Sequence, residues 1–213
     1  MDVGHFGLLQ ADLLKPAPPG GIDPRQWFAP DRRGNPLELE IGSGKGTFLV
    51  RQAKQYPQVN YWGIEWSMPF WRFSADRCRR HGLENARVLR AEAGAFVREY
   101  LPDGCVREVH IYFPDPWPKT RHNKRRLIQA PFLRELYRVL EKPGAIRIVT
   151  DHADYFQWIK DHAAQVADLF TSEPLEERPA GAGPGEIVGT NFERKYQREG
   201  RPFYAMLLRT SAF

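Results

Sequence analysis

The sequence predicts an α/β fold, a parallel sheet with helices on both faces, and three observations carry that reading. Short apolar runs of strand length fall at 37–42, 60–66, 86–91, 108–113 and 145–150. Helical periodicity fills the intervals near 46–56, 68–81, 126–140 and 153–169. Strand and helix alternating at this spacing supply the crossovers that parallel strands require. At 213 residues the chain can build one substantial core. With 42% hydrophobic and 27% charged residues it belongs to the soluble globular class. No stretch approaches the roughly 20 apolar residues of a membrane span. The N-terminus, Met1-Asp-Val-Gly-His-Phe-Gly7, has neither the basic start nor the apolar core of a signal peptide. Cys78 and Cys105 suggest neither a disulfide framework nor a metal-ligand pair, so a reduced, cytoplasmic setting without metal or membrane is expected. The net charge of +5 mildly favours a polyanionic partner.

Residues 1–36 are broken by Pro16, Pro18, Pro19, Gly20 and Gly21 and read as an irregular N-terminal arm, leaving 37–213 as the domain. The first strand runs into Leu39-Glu40-Ile-Gly42-Ser-Gly44-Lys-Gly46. Glycines at alternate positions let backbone approach a ligand and leave a helix N-terminus facing it. A dinucleotide fingerprint would place its third glycine at position 47, which is Thr47, so a nicotinamide oxidoreductase fits less well. The tighter spacing and the acid two residues before Gly42 suit S-adenosylmethionine, which brings a cationic sulfonium and an amino group. A tight strand–helix turn without ligand is the alternative. Glu65 ends the second strand, where an acid can accept from two ribose hydroxyls. Glu92 follows the third strand, within reach of an adenine amino group. Each alone also reads as a surface acid. Three acids at the carboxyl ends of successive strands mark the edge where ligands bind in such sheets.

The fourth strand feeds Tyr112-Phe-Pro-Asp-Pro-Trp-Pro-Lys-Thr-Arg-His-Asn-Lys-Arg-Arg126. Prolines on both sides of Asp115, and Pro118 after Trp117, predict extended backbone at Phe113, Asp115 and Trp117. A rigid acid and an indole then open into a cationic cluster of Lys119, Arg121, Lys124, Arg125 and Arg126, an arrangement suited to a nucleic-acid base on a phosphate backbone. A solvated basic turn is the bland alternative. Further along, Gly144 reads as the stop after a helix ending near Leu140. Asp151 follows the fifth strand, as a helix N-cap or a substrate contact. Residues 173–189, rich in Pro, Gly and Glu, predict a mobile loop. Thr190 and Glu193 form a capping box that starts a last helix before a final strand, Phe203 to Leu208. Trp66, Trp71 and Trp158 fall on apolar faces and read as core, whereas Trp117 projects with its loop.

The segment Phe113–Arg126 closely resembles the bacterial TrmB-type tRNA (guanine-N7)-methyltransferases, and Glu40-Ile-Gly-Ser-Gly44, Gly63-Ile-Glu65 and Thr190-Asn-Phe-Glu193 match the same family in order. The resemblance runs from about Leu37 to Leu208. It implies a Rossmann-like class I methyltransferase fold: a mostly parallel seven-stranded sheet, helices on both faces and an antiparallel C-terminal strand. It implies transfer of a methyl group from S-adenosylmethionine to N7 of a guanosine in the tRNA variable loop. By the same resemblance Glu40, Gly42, Gly44, Gly46, Glu65, Glu92 and Asp115 hold the cofactor, and Asp115 also stands at the reaction centre. Lys119, Asp151, Thr190, Asn191, Phe192 and Glu193 contact the substrate, with Arg121, Lys124, Arg125 and Arg126 on the RNA backbone. The chain departs from the family in carrying Glu92 for the usual Asp, Asn191 for Lys and Pro118 for the frequent His. Its N-terminal arm also lacks a basic recognition stretch. Methylation of another acceptor, such as ribosomal RNA or protein, and a non-catalytic RNA-binding module are the competing readings.

Overall fold

The computed structural model describes residues 1–13, 17–175 and 186–211. Its strands are β1 (Gly7–Leu9), β2 (Leu37–Ile41), β3 (Asn60–Ile64), β4 (Ala86–Arg90), β5 (Val106–Tyr112), β6 (Leu140–Thr150), β7 (Phe170–Glu173) and β8 (Tyr204–Thr210). They form one sheet in the order β1-β4-β3-β2-β5-β6-β8-β7. The first six are mutually parallel, and β8 runs antiparallel to both β6 and β7. The sheet thus has eight strands among the described residues, one more than the resemblance implies. The extra one comes from the segment read as an irregular arm, because Gly7–Leu9 pair with Val88–Arg90.

The helices are α1 (Thr47–Gln55), α2 (Met68–Arg80), α3 (Ala93–Tyr100), α4 (Ala130–Val139), α5 (Ala153–Ala164) and α6 (Asn191–Arg198). Strand side chains alternate between the two faces of the sheet, as a period of two demands, and Tyr112 and Val149 form a smaller third cluster with Phe48 and Val188. Leu37, Leu39, Trp62, Ile64, Val109, Ile111, Ile146 and Ile148 join α3, α4 and α5 in the larger core. Tyr61, Ala86 and Val88 join α1 and α2 in the other. The N-terminal segment seals one edge: Phe6 and Phe28 are buried, and the Arg87 guanidinium lies 5.2 and 5.0 Å from their ring centroids.

Local departures from the sequence reading have physical causes. The helix expected over 126–140 begins only at Ala130, because Thr120–Arg125 form a 3₁₀ segment and Pro131 sets a new first turn. Helix α3 escapes periodicity because it is short and carries Gly94 in its first turn. After α4 the chain enters β6 at Leu140, and Gly144 is needed there for closeness: an added Cβ would stand 2.5 Å from the Glu141 carbonyl oxygen. Of the loop expected over 173–189, residues 176–185 lie outside the described ones, and so does Pro16. Glu173 closes β7, and residues 187–189 are bound through their backbone to Glu193. No described helix is long and apolar enough to cross a membrane.

Candidate active site

The parallel strands deliver their carboxyl ends to one edge, and β2 lies at its centre between β3 and β5. Beyond Ile41 the chain turns through Gly42, Gly44 and Gly46 at φ of 80°, 52° and 66°, values that L side chains rarely adopt. Gly42 N–H and Ser43 N–H both donate to the Ile64 carbonyl, at 2.8 and 3.1 Å. Glu65 completes the tie: one carboxylate oxygen accepts from Gly44 N–H at 2.8 Å and the other from Ser67 N–H at 2.7 Å. Gly46 serves packing, since a Cβ there would lie 2.2 Å from Ser74 Oγ. A Cβ on Gly42 would meet nothing within 4 Å.

That open space belongs to a cavity of about 490 Å³. Its wall includes Glu40, the Gly42–Lys45 turn, Phe48, Tyr112 and, from α6, Asn191 and Phe192. Glu40 is 4% exposed, and its Oε2 has no hydrogen-bond partner. Burial pushes this carboxyl well above its ordinary range, the nearby Glu65 adds to the rise, and a backbone hydrogen bond from Leu49 offsets part of it. Ser43 Oγ, in the same wall, is likewise buried and unpartnered. Aromatic rings close the sides, with Phe70 and Phe192 at 37% and 40% exposure. The arrangement offers a desolvated carboxyl among aromatic faces, whose ionised form a ligand carrying a localised positive charge would favour.

The other expected site residues are distributed less simply. Glu92 is exposed and caps α3, accepting from Gly94 and Ala95 N–H at 2.8 and 2.7 Å. Asp115 is exposed at the loop tip, three residues beyond the last cavity residue of its strand, Tyr112. Its charge reaches Tyr155 and Tyr196, where it opposes ionisation of both phenols. The backbone around it is not extended as expected: Phe113 and Trp117 sit at φ of 54° and 43°. Tertiary contacts override the local preference. Phe113 N–H donates to the Val149 carbonyl at 2.7 Å, and its ring packs edge-on to Tyr196 and Phe203. Trp117 is flanked by the Arg125 guanidinium at 5.1 Å and by the edge of His122. Each such residue costs of order 1–3 kcal/mol and persists only where the surroundings over-determine it.

Lys119, Arg121, Lys124 and Arg125 are exposed. Arg126 corrects the expectation of an RNA contact. It is 4% exposed, lies 5.2 Å from both the Tyr155 and Trp158 rings, and donates through Nε to the Pro116 carbonyl at 2.8 Å. It clamps the loop from beneath. Asp151 is not the N-cap of α5, a place taken by His152, and instead pairs with Arg201 at 2.7 Å. Thr190 caps α6 by accepting from Glu193 N–H at 3.0 Å. Glu193 is fully buried, and its carboxylate accepts from Ile187, Val188 and Gly189 N–H, so it holds the approach to α6 and faces no solvent. Trp66, expected in the core, is 63% exposed with the Arg90 guanidinium 5.2 Å from its ring, because the strand ends at Ile64. Phe70, Tyr112 and Lys45 were not singled out from sequence. Phe70 gave a readable signal, being out of phase with the buried positions Trp71, Ser74, Ala75 and Cys78 of α2.

A family model described as "Putative methyltransferase" matches residues 34–206. A tRNA (guanine-N(7)-)-methyltransferase of Halorhodospira halophila is 37% identical over 177 residues, covering 83% of this chain and 76% of the relative. One from Streptococcus thermophilus is 33% identical over 179 residues, covering 84% and 83%. Among solved structures, "a putative methyltransferase from streptococcus mutans in complex with SAH" superposes with a TM-score of 0.53 at 9% identity, covering 83% and 89%. That likeness speaks to the fold alone.

The buried Glu40 carboxyl sets a stability expectation. Its folded-state pKa lies above the ordinary 4.5, so the native state binds the extra proton and loses stability as pH rises through that raised value. Glu40→Gln removes the penalty. It should raise the melting temperature at neutral pH by roughly 2–4 °C per kcal/mol relieved. The gain should shrink toward pH 4.5. Thermal denaturation across that pH range checks it, and a lower melting temperature for the variant at neutral pH would refute it.

Proposed function

This chain belongs to the tRNA (guanine-N7)-methyltransferase family, and from that premise we propose that it methylates N7 of a guanosine in tRNA with S-adenosylmethionine as donor. The observation that carries the proposal is the unpartnered Glu40 Oε2 in a cavity walled by the glycine turn, on the sheet edge that also bears the Asp115 loop and its cations. S-adenosylmethionine supplies an electrophilic methyl group on a sulfonium, together with an ammonium group. Glu40 offers the acceptor for its positive charge, Gly42 leaves room for backbone approach, and the aromatic wall favours a cation over a neutral group. Glu65, already braced by Gly44 and Ser67 N–H, keeps lone pairs for ribose hydroxyls. Among the expected cofactor contacts Glu92 has a weaker claim, since both its oxygens cap α3.

N7 of guanine carries a lone pair and no proton, so attack needs no general base. The tasks left to the protein are alignment and stabilisation of the positive charge that develops on the purine. Asp115, on a loop braced by Arg126 and by the Phe113 contacts, is assigned to both. Lys119, Arg121, Lys124 and Arg125 would hold the RNA backbone, with affinity falling as salt rises. Asn191 and Phe192, at the cavity rim, are assigned to the substrate side.

Incubation with methyl-labelled S-adenosylmethionine and unmodified tRNA, followed by nucleoside analysis, should yield 7-methylguanosine. Cofactor binding without that product would redirect the activity to another acceptor, and absence of binding would defeat the catalytic reading. In the same assay Asp115→Ala should lower turnover by roughly 10²–10³ at saturating substrates, the loss typical of an electrostatic stabiliser. Near-normal turnover removes Asp115 from the chemistry. Arg121→Ala with Lys124→Ala should weaken tRNA binding and reduce the slope of log affinity against log salt by about 1–2. These two are chosen because Arg125 also braces Trp117. An unaltered slope would mean the cluster does not face RNA.

A further inference from the structure

The opening of the cavity carries charge that the reaction as described leaves unassigned. Lys45 in the glycine turn and Lys195 and Arg198 on α6 all line the cavity, and all three are exposed. On α6 the lining residues are Asn191, Phe192, Lys195 and Arg198, at the spacing of a single helical face. Acidic groups do little to answer these cations. Glu199 lies 3.9 Å from Lys195 but 2.7 Å from Arg201, and among the described residues Lys45 and Arg198 form no ion pair. Lys45 lies instead 5.9 Å from the Phe73 ring centroid. Positive charge continues behind the rim, where Arg77 Nη1 donates to the Lys45 carbonyl at 3.2 Å. Burial draws the Arg77 pKa below its usual value, and the charges of Arg80, Arg51 and Arg194 add to the fall.

Such a rim does not serve a positively charged ligand. The Glu40 carboxyl suits a sulfonium or an ammonium, whereas three cations at the opening repel both. The carboxylate of the donor's amino-acid arm could pair with one of them, which leaves two. Exposed cations around an opening that a substrate must cross suit a polyanion. Their place in the fold also differs from that of the cluster after β5. That loop is anchored by Arg126 on Tyr155 and Trp158 of α5, hence on the face of the sheet that carries the larger core. Helix α6 is anchored on the α1 face: Val188, just before it, packs with Phe48, and Arg51 donates to the Gly189 carbonyl at 2.9 Å. The helix spans from the glycine turn to the Asp115 loop, since a Cβ on Gly44 would lie 3.6 Å from Phe192 Cε2 and the Tyr196 ring stands 5.7 Å from Phe113. The sheet edge therefore presents cations anchored on both of its faces. An RNA strand that delivers one base to the cavity continues in two directions from that base, and each direction needs a hold.

We propose that Lys45, Lys195 and Arg198 form a second RNA-backbone contact, which holds phosphates from the α1 face of the sheet edge while Arg121 and Lys124 hold them from the other. This rests on the reading of the chain as a tRNA methyltransferase. Contacts to phosphate fix the register of the strand over the cavity and carry no sequence information.

Equilibrium binding of unmodified tRNA across a salt series tests it, with calorimetric titration of S-adenosylmethionine alongside. Lys195→Ala with Arg198→Ala should weaken tRNA binding roughly tenfold and reduce the slope of log affinity against log salt by about 1–2. Affinity for S-adenosylmethionine should not change. In turnover the loss should appear in KM for tRNA and not in kcat. Lys195→Arg with Arg198→Lys keeps both charges and should keep the slope, which separates lost charge from a damaged helix. Adding Arg121→Ala and Lys124→Ala to the alanine pair should lower the slope by the sum of the two effects, as independent contacts do. An unaltered slope in the alanine pair overturns the proposal, and so does an equal loss in the charge-keeping pair. A fall in donor affinity with tRNA binding intact also overturns it and gives the cations to the donor's carboxylate. Failure of the unaltered protein to bind tRNA overturns instead the reading of the substrate.

Discussion

Backbone hydrogen bonds from Gly42, Ser43 and Gly44 to the end of β3 hold the turn after β2 in a shape that glycine adopts most readily, and the cavity exists because of that shape. Two of the carriers are ordinary: a strand carbonyl at Ile64 accepting twice. The third is Glu65, whose carboxylate spans Gly44 and Ser67 and so locks the β2 turn to the start of α2. The glycines are needed for different reasons. Gly42 leaves space that the cavity occupies, while Gly46 lets α1 and α2 approach until only a hydrogen fits against Ser74. Fixing the turn also fixes the entry of α1, which brings Phe48 over β5 and seals the buried face beneath it. One local geometry thus sets both the opening and its floor.

The loop after β5 is built on the opposite principle. Local chemistry there favours extended backbone before each proline, yet Phe113 and Trp117 are bent into positive φ by contacts distant in sequence. Tyr196 and Phe203 hold Phe113 from the C-terminal part of the chain, and Arg201 joins Tyr196 to Asp151. Arg126, wedged between Tyr155 and Trp158, fixes Pro116 from below. Asp115 is therefore presented by a strained segment whose restraints come from α5, α6 and the approach to β8. The role proposed for Asp115 would benefit from such a support, rigid on every side but the outer one.

Much of this architecture was legible because short strand-length segments bounded by turn residues stand out, although β2 and β4 each bury charged side chains, Glu38, Glu40 and Arg87, within them. Glu40, Glu65 and Glu92 were also correctly placed at strand ends, since position there follows from the strand boundary. What each acid touches does not follow: Glu92 caps a helix and Glu193 binds a loop backbone. Arg126 is indistinguishable by composition from Lys124 and Arg125, yet only Arg126 finds two aromatic faces, and those belong to a helix about thirty residues away. The strand in the N-terminal segment was invisible because three residues give no periodicity, and its pairing with β4 is a tertiary fact. Trp66 failed for a related reason, as an apolar side chain one step beyond a strand looks like part of it.

The face of β2, β5 and β6 under α1 carries Glu38, Glu40, Glu108, His110, Tyr112 and Arg147, where the opposite face is aliphatic. Buried ion pairs rarely add stability over well-packed apolar side chains, because desolvation consumes most of the Coulombic gain. Stability alone does not account for such a face. Its internal pairing is nearly complete, with Glu38 on His110 and Arg107, Glu108 on Arg147, and Tyr112 on His110. Glu38, Glu108 and His110 come close enough to suggest a cation site, but these protein partners already occupy them. Glu40 Oε2 and Arg107 Nε are left without a partner, and of the two it is Glu40 that stands in the cavity wall. A polar layer paired through most of its length but open at Glu40 leaves that carboxyl to attract whatever positive charge enters the cavity.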